Sequence, residues 1–380
     1  MSRLLESIQA AAGAVELRWR DGGGPTHVPW FWLRDHCQCS ECIHPHTLQR
    51  MVDTFSIPAD VRPSNLALVE NGTWVEVDWE GDAHKSRYPS TFLATAEVRR
   101  DAFEPRYTSP VLWDGKRIEE ELPSVRFEEL HQEGSDGLLR LLEKVERYGL
   151  CFVRGTPPTE EATERLAELI SYIRVTIFGG FWGATDEREF ADTGYTTLAI
   201  TPHTDGTYVM DAPGLMLFHC IRFEGSGGEN TFVDGFRVAE ILEQTNPKAF
   251  QLLSTVEVLG QYLGDGVHLR ARRPVFRLNE AGRLAQISYN NHDRAPFRLP
   301  DEEMAAFYEA LRAFNRLIED PNNQLKRRLL PGELLLFDNW RVLHGREAYE
   351  GKRDLIGCYF NWEDFESRLR LLRAELAAEA

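Results

Sequence analysis

Apolar and polar residues alternate in Val15-Glu16-Leu17-Arg18-Trp19 and in Trp74-Val75-Glu76-Val77-Asp78-Trp79. Successive side chains of a strand point to opposite faces, so both stretches predict half-buried strands. Turns are expected at Asp21-Gly22-Gly23-Gly24-Pro25 and Glu80-Gly81-Asp82-Ala83-His84. Further on, the pattern predicts a helix over 137–148 and a strand over 149–154. After the turn Gly155-Thr156-Pro157-Pro158, Thr159-Glu160-Glu161 opens a second helix with acids in its first turn, ending near Ile173. Beyond it, short strands are expected at 215–221, 230–233, 256–263, 274–278 and 284–289. Helices are expected at 236–244 and 302–317, and an amphipathic one at 365–379. Strands with Gly-rich turns between them predict a mainly β fold with helical insertions, a double-stranded β-helix or jelly roll. The expected plan is a small β domain over 1–100, a linker over 101–120 carrying Pro105 and Pro110, and the jelly roll over 121–380.

Composition narrows the partners. At 380 residues, 42% hydrophobic and 27% charged, the chain suits one large globular domain plus a smaller one. A formal net charge of −17 argues against nucleic acid or an anionic membrane and is compatible with a cationic substrate. The N-terminal stretch Met1-Ser2-Arg3-Leu4-Leu5-Glu6-Ser7 reads as neither a secretory signal nor a transit peptide, and no apolar run reaches the length of a membrane span. Of six cysteines, Cys37, Cys39 and Cys42 cluster, whereas Cys151, Cys220 and Cys358 are scattered. This is not a disulfide framework, and a reducing compartment, the cytoplasm, is expected.

Two constellations carry chemistry. The clustered thiols are three of the four ligands a tetrahedral zinc needs; His44, His46 and His84 are candidates for the fourth. In Pro202-His203-Thr204-Asp205-Gly206, an extended backbone would point His203 and Asp205 to one face. His344, just after the apolar run Leu334-Leu335-Leu336-Phe337, would complete two histidines and one carboxylate. That set leaves coordination positions open on iron and marks non-heme Fe(II) oxygenases.

An iron held this way needs a cosubstrate, and a 2-oxo acid can chelate it through two oxygens. Arg353, nine positions past His344, offers a planar fork for the distal carboxylate. Asn230, after Gly227-Gly228-Glu229, is a candidate for one further hydrogen bond to the same molecule. Phe178, Trp182 and Tyr195 precede the metal motif and Tyr359 follows Arg353. Aromatic faces attract quaternary ammonium groups, so these four form a candidate cage.

The chain resembles the trimethyllysine dioxygenase and γ-butyrobetaine hydroxylase family, within the taurine dioxygenase-like oxygenases. The resemblance runs over nearly the whole length. It rests on Trp32-Leu33-Arg34-Asp35-His36-Cys37, Gly194-Tyr195-Thr196-Thr197, His203-Thr204-Asp205, Val233-Asp234-Gly235-Phe236, Tyr289-Asn290-Asn291 and Phe337-Asp338-Asn339-Trp340-Arg341-Val342-Leu343-His344-Gly345-Arg346. It implies hydroxylation by dioxygen coupled to oxidative decarboxylation of 2-oxoglutarate to succinate, and a homodimer. Carried over, His203, Asp205 and His344 bind iron, Arg353 binds 2-oxoglutarate, and the four aromatics match the cage. His84 stands where the family's γ-butyrobetaine branch has the histidine that completes the thiol site.

His203-Thr204-Asp205-Gly206-Thr207-Tyr208, Tyr289-Asn290-Asn291-His292-Asp293-Arg294-Ala295 and the short spacing from His344 to Arg353 resemble the trimethyllysine branch. Asp192, three residues before Tyr195, would suit the α-ammonium group of an amino-acid substrate, and Asn290 is a further substrate candidate. Two features depart from that branch: the full Cys37-Cys39-Cys42 set is typical of γ-butyrobetaine enzymes, and Phe178 stands where the family has tyrosine. The alternatives are γ-butyrobetaine or another quaternary amine as substrate and, in a different class, a non-catalytic jelly-roll binding protein.

Overall fold

A computed structural model describes residues 3–96, 110–132, 136–184 and 192–379. They divide into two compact units, Met1–Phe103 and Glu104–Ala380. Residues 101–109 of the expected linker lie outside the described residues. Its remainder contains a helix, Gly115–Glu120, whose first turn is capped by the Asp114 carboxylate accepting from Arg117 N–H at 2.9 Å.

The N-terminal unit holds two three-stranded antiparallel sheets. One comprises Leu5–Ala11, Ala14–Trp19 and Thr26–Pro29; the other comprises Pro63–Val69, Trp74–Trp79 and Lys85–Pro89. The alternation in Trp74–Trp79 buries Val75, Val77 and Trp79, while Trp74 stays half-buried beneath the Arg87 guanidinium. The helix Trp30–Asp35 was not foreseen. It delivers the chain to the three clustered cysteines.

The second unit is mainly β with helices around it. Its six-stranded sheet runs Ser124–Arg126, Leu150–Arg154, Glu333–Asp338, Leu215–Gly227, Tyr349–Phe360, Phe181–Ala184, and all pairings but the first are antiparallel. Its four-stranded sheet runs Ile200–His203, Val342–Arg346, Asn230–Asp234, Gln324–Arg327. The two share a buried core in which Phe232 and Val342 of the smaller sheet meet Phe337, Leu335 and Met216 of the larger. Helices Gly235–Thr245, Pro247–Thr255 and Asp301–Glu319 supply a second core with Phe250, Phe276, Phe307 and Phe314. The helix Pro247–Thr255 was missed in the sequence, as was the strand Val267–Pro274. That strand alternates basic and apolar residues and pairs with Glu257–Gly264 as a hairpin. No helix among the described residues is long and apolar enough to cross a membrane.

One buried ion pair fixes the turn between strands Glu333–Asp338 and Val342–Arg346. Arg341 and Asp234 are both fully buried and meet through two parallel bonds, Nε to Oδ1 at 3.0 Å and Nη2 to Oδ2 at 2.7 Å. Arg341 also donates to the carbonyls of Arg147 and Val111. Asp234 accepts from the N–H groups of Trp113 and Phe236, the latter in the first turn of its own helix. Each charge is thus paired and its remaining hydrogen-bonding capacity largely met, as burial of ions requires.

Candidate active site

Strand register brings the first two candidate ligands together. Ile200–His203 pairs with Val342–Arg346 so that His203 and His344 are direct partners, their ring centroids 4.4 Å apart. The expected extended run through Asp205 is not what positions the carboxylate, because the strand ends at His203. Asp205 instead lies in a turn held by Asn339, which accepts from Asp205 N–H at 2.8 Å and donates to the carbonyls of Asp205 and Pro213 at 3.1 and 2.9 Å. Asp205 Oδ1 then stands 3.2 Å from His203 Nε2 and 3.7 Å from His344 Nε2, and the donor atoms of the three residues lie within 4.8 Å of one another.

The surroundings orient these donors. Tyr359 O–H donates to Asp205 Oδ2 at 2.7 Å, which leaves Oδ1 toward both imidazoles. His203 Nδ1–H donates to the Thr201 carbonyl at 2.9 Å, which directs Nε2 to the carboxylate. Burial opposes charge on Asp205, but His344 and His203 beside it hold the carboxyl well below the usual range. Burial also opposes charge on His203; the hydrogen bond and charge of Asp205 outweigh it and raise the imidazole. His344 is pushed down to about 3, first by burial and then by His203. The set therefore offers a carboxylate held ionised between two imidazoles. Buried His344 Nδ1 has no hydrogen-bond partner among the described residues. The donor types and their mutual distances fit a divalent transition metal.

A cavity opens over these residues, with His203, Asp205 and His344 in its lining. Arg353 lines it from inside strand Tyr349–Phe360. It is 5% exposed, and its Nη2 donates to Asn230 Oδ1 at 3.0 Å. Asn230 in turn donates to the Arg327 carbonyl, so in this structure it braces the arginine. Burial, and then the neighbouring Arg346, push Arg353 down to about 10, which leaves it charged at neutral pH.

All four candidate cage aromatics line the same cavity. Trp182 is 5.6 Å from the Tyr359 ring and packs edge-on against Phe218. Its indole lies across the neighbouring strand at Gly357, where a Cβ would come within 2.3 Å of the ring, so only glycine admits it. Phe178 is 6.2 Å from Tyr195 and meets Tyr262 edge-on at 6.0 Å. Tyr262 in turn is 5.1 Å from Tyr208, which also lines the cavity. Tyr208 and Tyr262 carry no role in the sequence analysis; Tyr262 comes from a hairpin far along the chain, and only folding brings it to Phe178.

Two further carboxylates line the cavity. Asp192 accepts from Gly194 N–H at 2.7 Å, and burial and the Asp205 charge raise it despite that bond. Asp293 was overlooked in the sequence. It accepts from Asn290 Nδ2 at 2.8 Å and is raised to about 7, first by burial and then by Asp192 and Asp205, against the pull of His203. Asn290 therefore also serves its own turn, accepting from His292 N–H at 2.9 Å.

In the N-terminal unit, the three thiols converge on one of the three candidate histidines. His84 Nε2 lies 3.3, 3.7 and 3.5 Å from the sulfurs of Cys37, Cys39 and Cys42. His44 instead accepts from the N–H groups of His46 and Thr47 within its own turn. A tetrahedron with bonds of about 2.0–2.3 Å has edges of roughly 3.3–3.8 Å, so the donor spacing fits a zinc ion.

Comparison with known proteins agrees with this geometry. Residues 110–359 match the family model described as "Taurine catabolism dioxygenase TauD, TfdA family", and residues 7–94 match "Gamma-butyrobetaine hydroxylase-like, N-terminal". The chain thus belongs to the TauD/TfdA family of 2-oxoglutarate-dependent dioxygenases, which sets aside the non-catalytic alternative. Its relatives are more particular. It is 36% identical to the trimethyllysine dioxygenase of the yeast Meyerozyma guilliermondii, over 94% of this chain and 93% of that one. It is 37% identical to the mitochondrial trimethyllysine dioxygenase of Homo sapiens, over 90% of this chain and 82% of that one. Among solved structures, a taurine dioxygenase-like protein of Burkholderia xenovorans aligns with a TM-score of 0.50 at 11% identity, covering 66% of this chain and 91% of that one, a likeness of fold.

Proposed function

We propose that this chain hydroxylates N6-trimethyllysine, with Fe(II) held by His203, Asp205 and His344 and 2-oxoglutarate anchored by Arg353 and Asn230. The observation that carries this reading is the convergence of those three donors within 4.8 Å in a cavity that also holds a buried arginine. Bound Fe(II) with 2-oxoglutarate supplies the means to activate dioxygen and oxidise an unactivated C–H bond. The chain's own residues do the rest. Tyr359 keeps one carboxylate oxygen of Asp205 occupied, so the other is left for the metal. Trp182, Tyr195, Phe178 and Tyr359 present ring faces to a trimethylammonium group, which needs no hydrogen bond and is held by the ring quadrupoles. Asp192, Asp293 and Asn290 place two carboxyl groups and an amide in the same cavity, hydrogen-bonding partners for the α-ammonium group of an amino acid, whose positive charge favours ionisation of the carboxyls on binding.

The finer architecture is read in the same way. The six- and four-stranded sheets of the second unit serve as a double-stranded β-helix, and Cys37, Cys39, Cys42 and His84 hold a structural zinc. The protein acts as a homodimer in the cytoplasm; its six free cysteines support a reducing compartment. γ-Butyrobetaine is the second reading, favoured by the full Cys37-Cys39-Cys42 cluster. A panel of trimethyllysine, γ-butyrobetaine and other quaternary amines, assayed for a mass gain of one oxygen, separates them. Conversion of trimethyllysine is expected; conversion of γ-butyrobetaine alone would overturn the choice.

A further inference from the structure

Arg346, two residues past His344, is as deeply buried as Arg353, at 6% exposed, and lines the same cavity. Among the described residues neither guanidinium has a carboxylate in ion-pair range. Both lie against one ring: their Cζ atoms stand 4.9 and 5.7 Å from the centre of Tyr349. Burial lowers both arginines, and Arg346 adds to the lowering of Arg353. Two buried like charges with no counter-ion call for an anion.

What Arg346 does bind is backbone. It donates to the carbonyls of Gly194, Thr196 and Leu198, at 3.4, 2.6 and 2.8 Å. Tyr349 N–H adds a fourth tie, to the Thr197 carbonyl at 3.1 Å. These four carbonyls belong to the irregular segment that carries Asp192 and Tyr195, the groups assigned above to the two ends of the substrate. Meanwhile Arg346 Nε–H is buried without a hydrogen-bond partner among the described residues. The same side chain thus touches the substrate segment and shares a ring with the cosubstrate arginine.

We infer that Arg346 is a positioning residue that couples occupancy of the Arg353 anion site to the order of the segment from Asp192 to Leu198. With the site empty, the two guanidiniums repel. The Arg353 guanidinium is held by the Asn230 side chain, whereas the hydrogen bonds of Arg346 go to carbonyls of the 192–198 segment, so the strain falls on those ties. A carboxylate at Arg353 cancels that repulsion, and the ties shorten the excursions of the segment. Coupling of this kind requires the anion to favour the ordered state over the loose one, and the removal of like-charge repulsion supplies that difference. The inference rests on 2-oxoglutarate as the occupant.

Hydrogen exchange tests it directly. The N–H groups of Gly194, Tyr195 and Thr196 each bond within the segment, to Asp192 Oδ1, Asp192 O and Thr193 O, so their exchange reports its order. Metal-loaded full-length protein, kept anaerobic, is compared with and without 2-oxoglutarate. In the wild type the cosubstrate is expected to slow exchange across 192–199 about tenfold. In Arg346→Gln that response disappears, although 2-oxoglutarate still binds, and the KM for the quaternary amine rises about tenfold while the KM for 2-oxoglutarate moves far less. Arg346→Lys keeps the charge but cannot span three carbonyls, and it should recover only part of the response; it also carries the test if the glutamine variant fails to fold. A wild type that binds 2-oxoglutarate with no change over 192–199, or an Arg346→Gln variant that keeps the full response, overturns the coupling alone. A wild type that does not bind 2-oxoglutarate brings down the oxygenase reading, and the coupling with it.

Discussion

Replacing Asp234 by Ala removes the carboxylate that pairs with the fully buried Arg341 guanidinium and tests what holds the His344 strand in place. Both side chains are 0% exposed, so Arg341 cannot turn to water without moving the turn at 338–341. Removing one partner of a buried pair costs about 3–5 kcal/mol. The same substitution strips the helix Gly235–Thr245 of the bond to Phe236 N–H, a capping loss of about 1 kcal/mol. The sum is about 4–6 kcal/mol. At about 2.1 cal/mol/K of unfolding entropy per residue, a unit of roughly 280 residues shifts by about 1.7 °C per kcal/mol, so the melting temperature should fall by roughly 7–10 °C. Thermal and urea denaturation read this directly. The double variant Asp234→Ala/Arg341→Met removes both charges and should be at least ~2 kcal/mol more stable than the single variant, because no uncompensated ion remains. A single variant within ~1 kcal/mol of wild type, or a double variant no better than the single, would refute the argument that the pair is the lock on this turn.

Three other substitutions probe the two metal sites and the cavity. Tyr359→Phe deletes the bond to Asp205 Oδ2 and leaves the ring in place; iron affinity should fall about 10–100-fold, measured by competition with a chelator, while the fold is unchanged. Asp293→Asn should stabilise the metal-free protein above neutral pH. With its folded pKa raised to about 7, the native carboxyl keeps its proton where the unfolded chain has lost it, so wild-type stability falls as pH rises from about 4 through 7, by a few kcal/mol at most. The melting difference between the two proteins should therefore close toward pH 4; a constant gap would argue against a raised carboxyl. Cys39→Ser should cost the protein one equivalent of zinc by elemental analysis and loosen the N-terminal unit in limited proteolysis, with iron content unaltered.

Much of the site could be read in the chain because its chemistry depends on residue type and order. His203, Asp205 and His344 declare a donor set wherever the backbone takes them, and Arg353 declares a carboxylate fork. The route by which they meet was less legible. Two-residue alternation suggested a shared strand face for His203 and Asp205, whereas the structure uses cross-strand pairing for His203 with His344 and a side-chain clamp, Asn339, for Asp205. Asn339, Arg341 and Arg346 stood within a motif whose type was evident. Their roles depend on partners more than a hundred positions away, and no local pattern encodes such a distance. Strand Val267–Pro274 went unseen for a different reason: its hairpin is half-exposed, so both faces carry arginine and the apolar contrast that marks a buried strand is weak. In the N-terminal unit, spacing alone left the fourth zinc candidate open among three histidines, because a turn that returns a side chain across a hairpin is set by register; the family resemblance is what pointed to His84, the histidine that lies against the three thiols.

The account stands on a single ferrous ion shared by His203, Asp205 and His344 beside an anchored keto acid. The direct measurement is iron bound per chain, together with succinate released per hydroxylated trimethyllysine, in the wild type and in His344→Ala. The account predicts one iron and a one-to-one ratio in the wild type, and neither iron retention nor substrate-dependent succinate in the variant. A variant that binds iron and turns over like the wild type would contradict it.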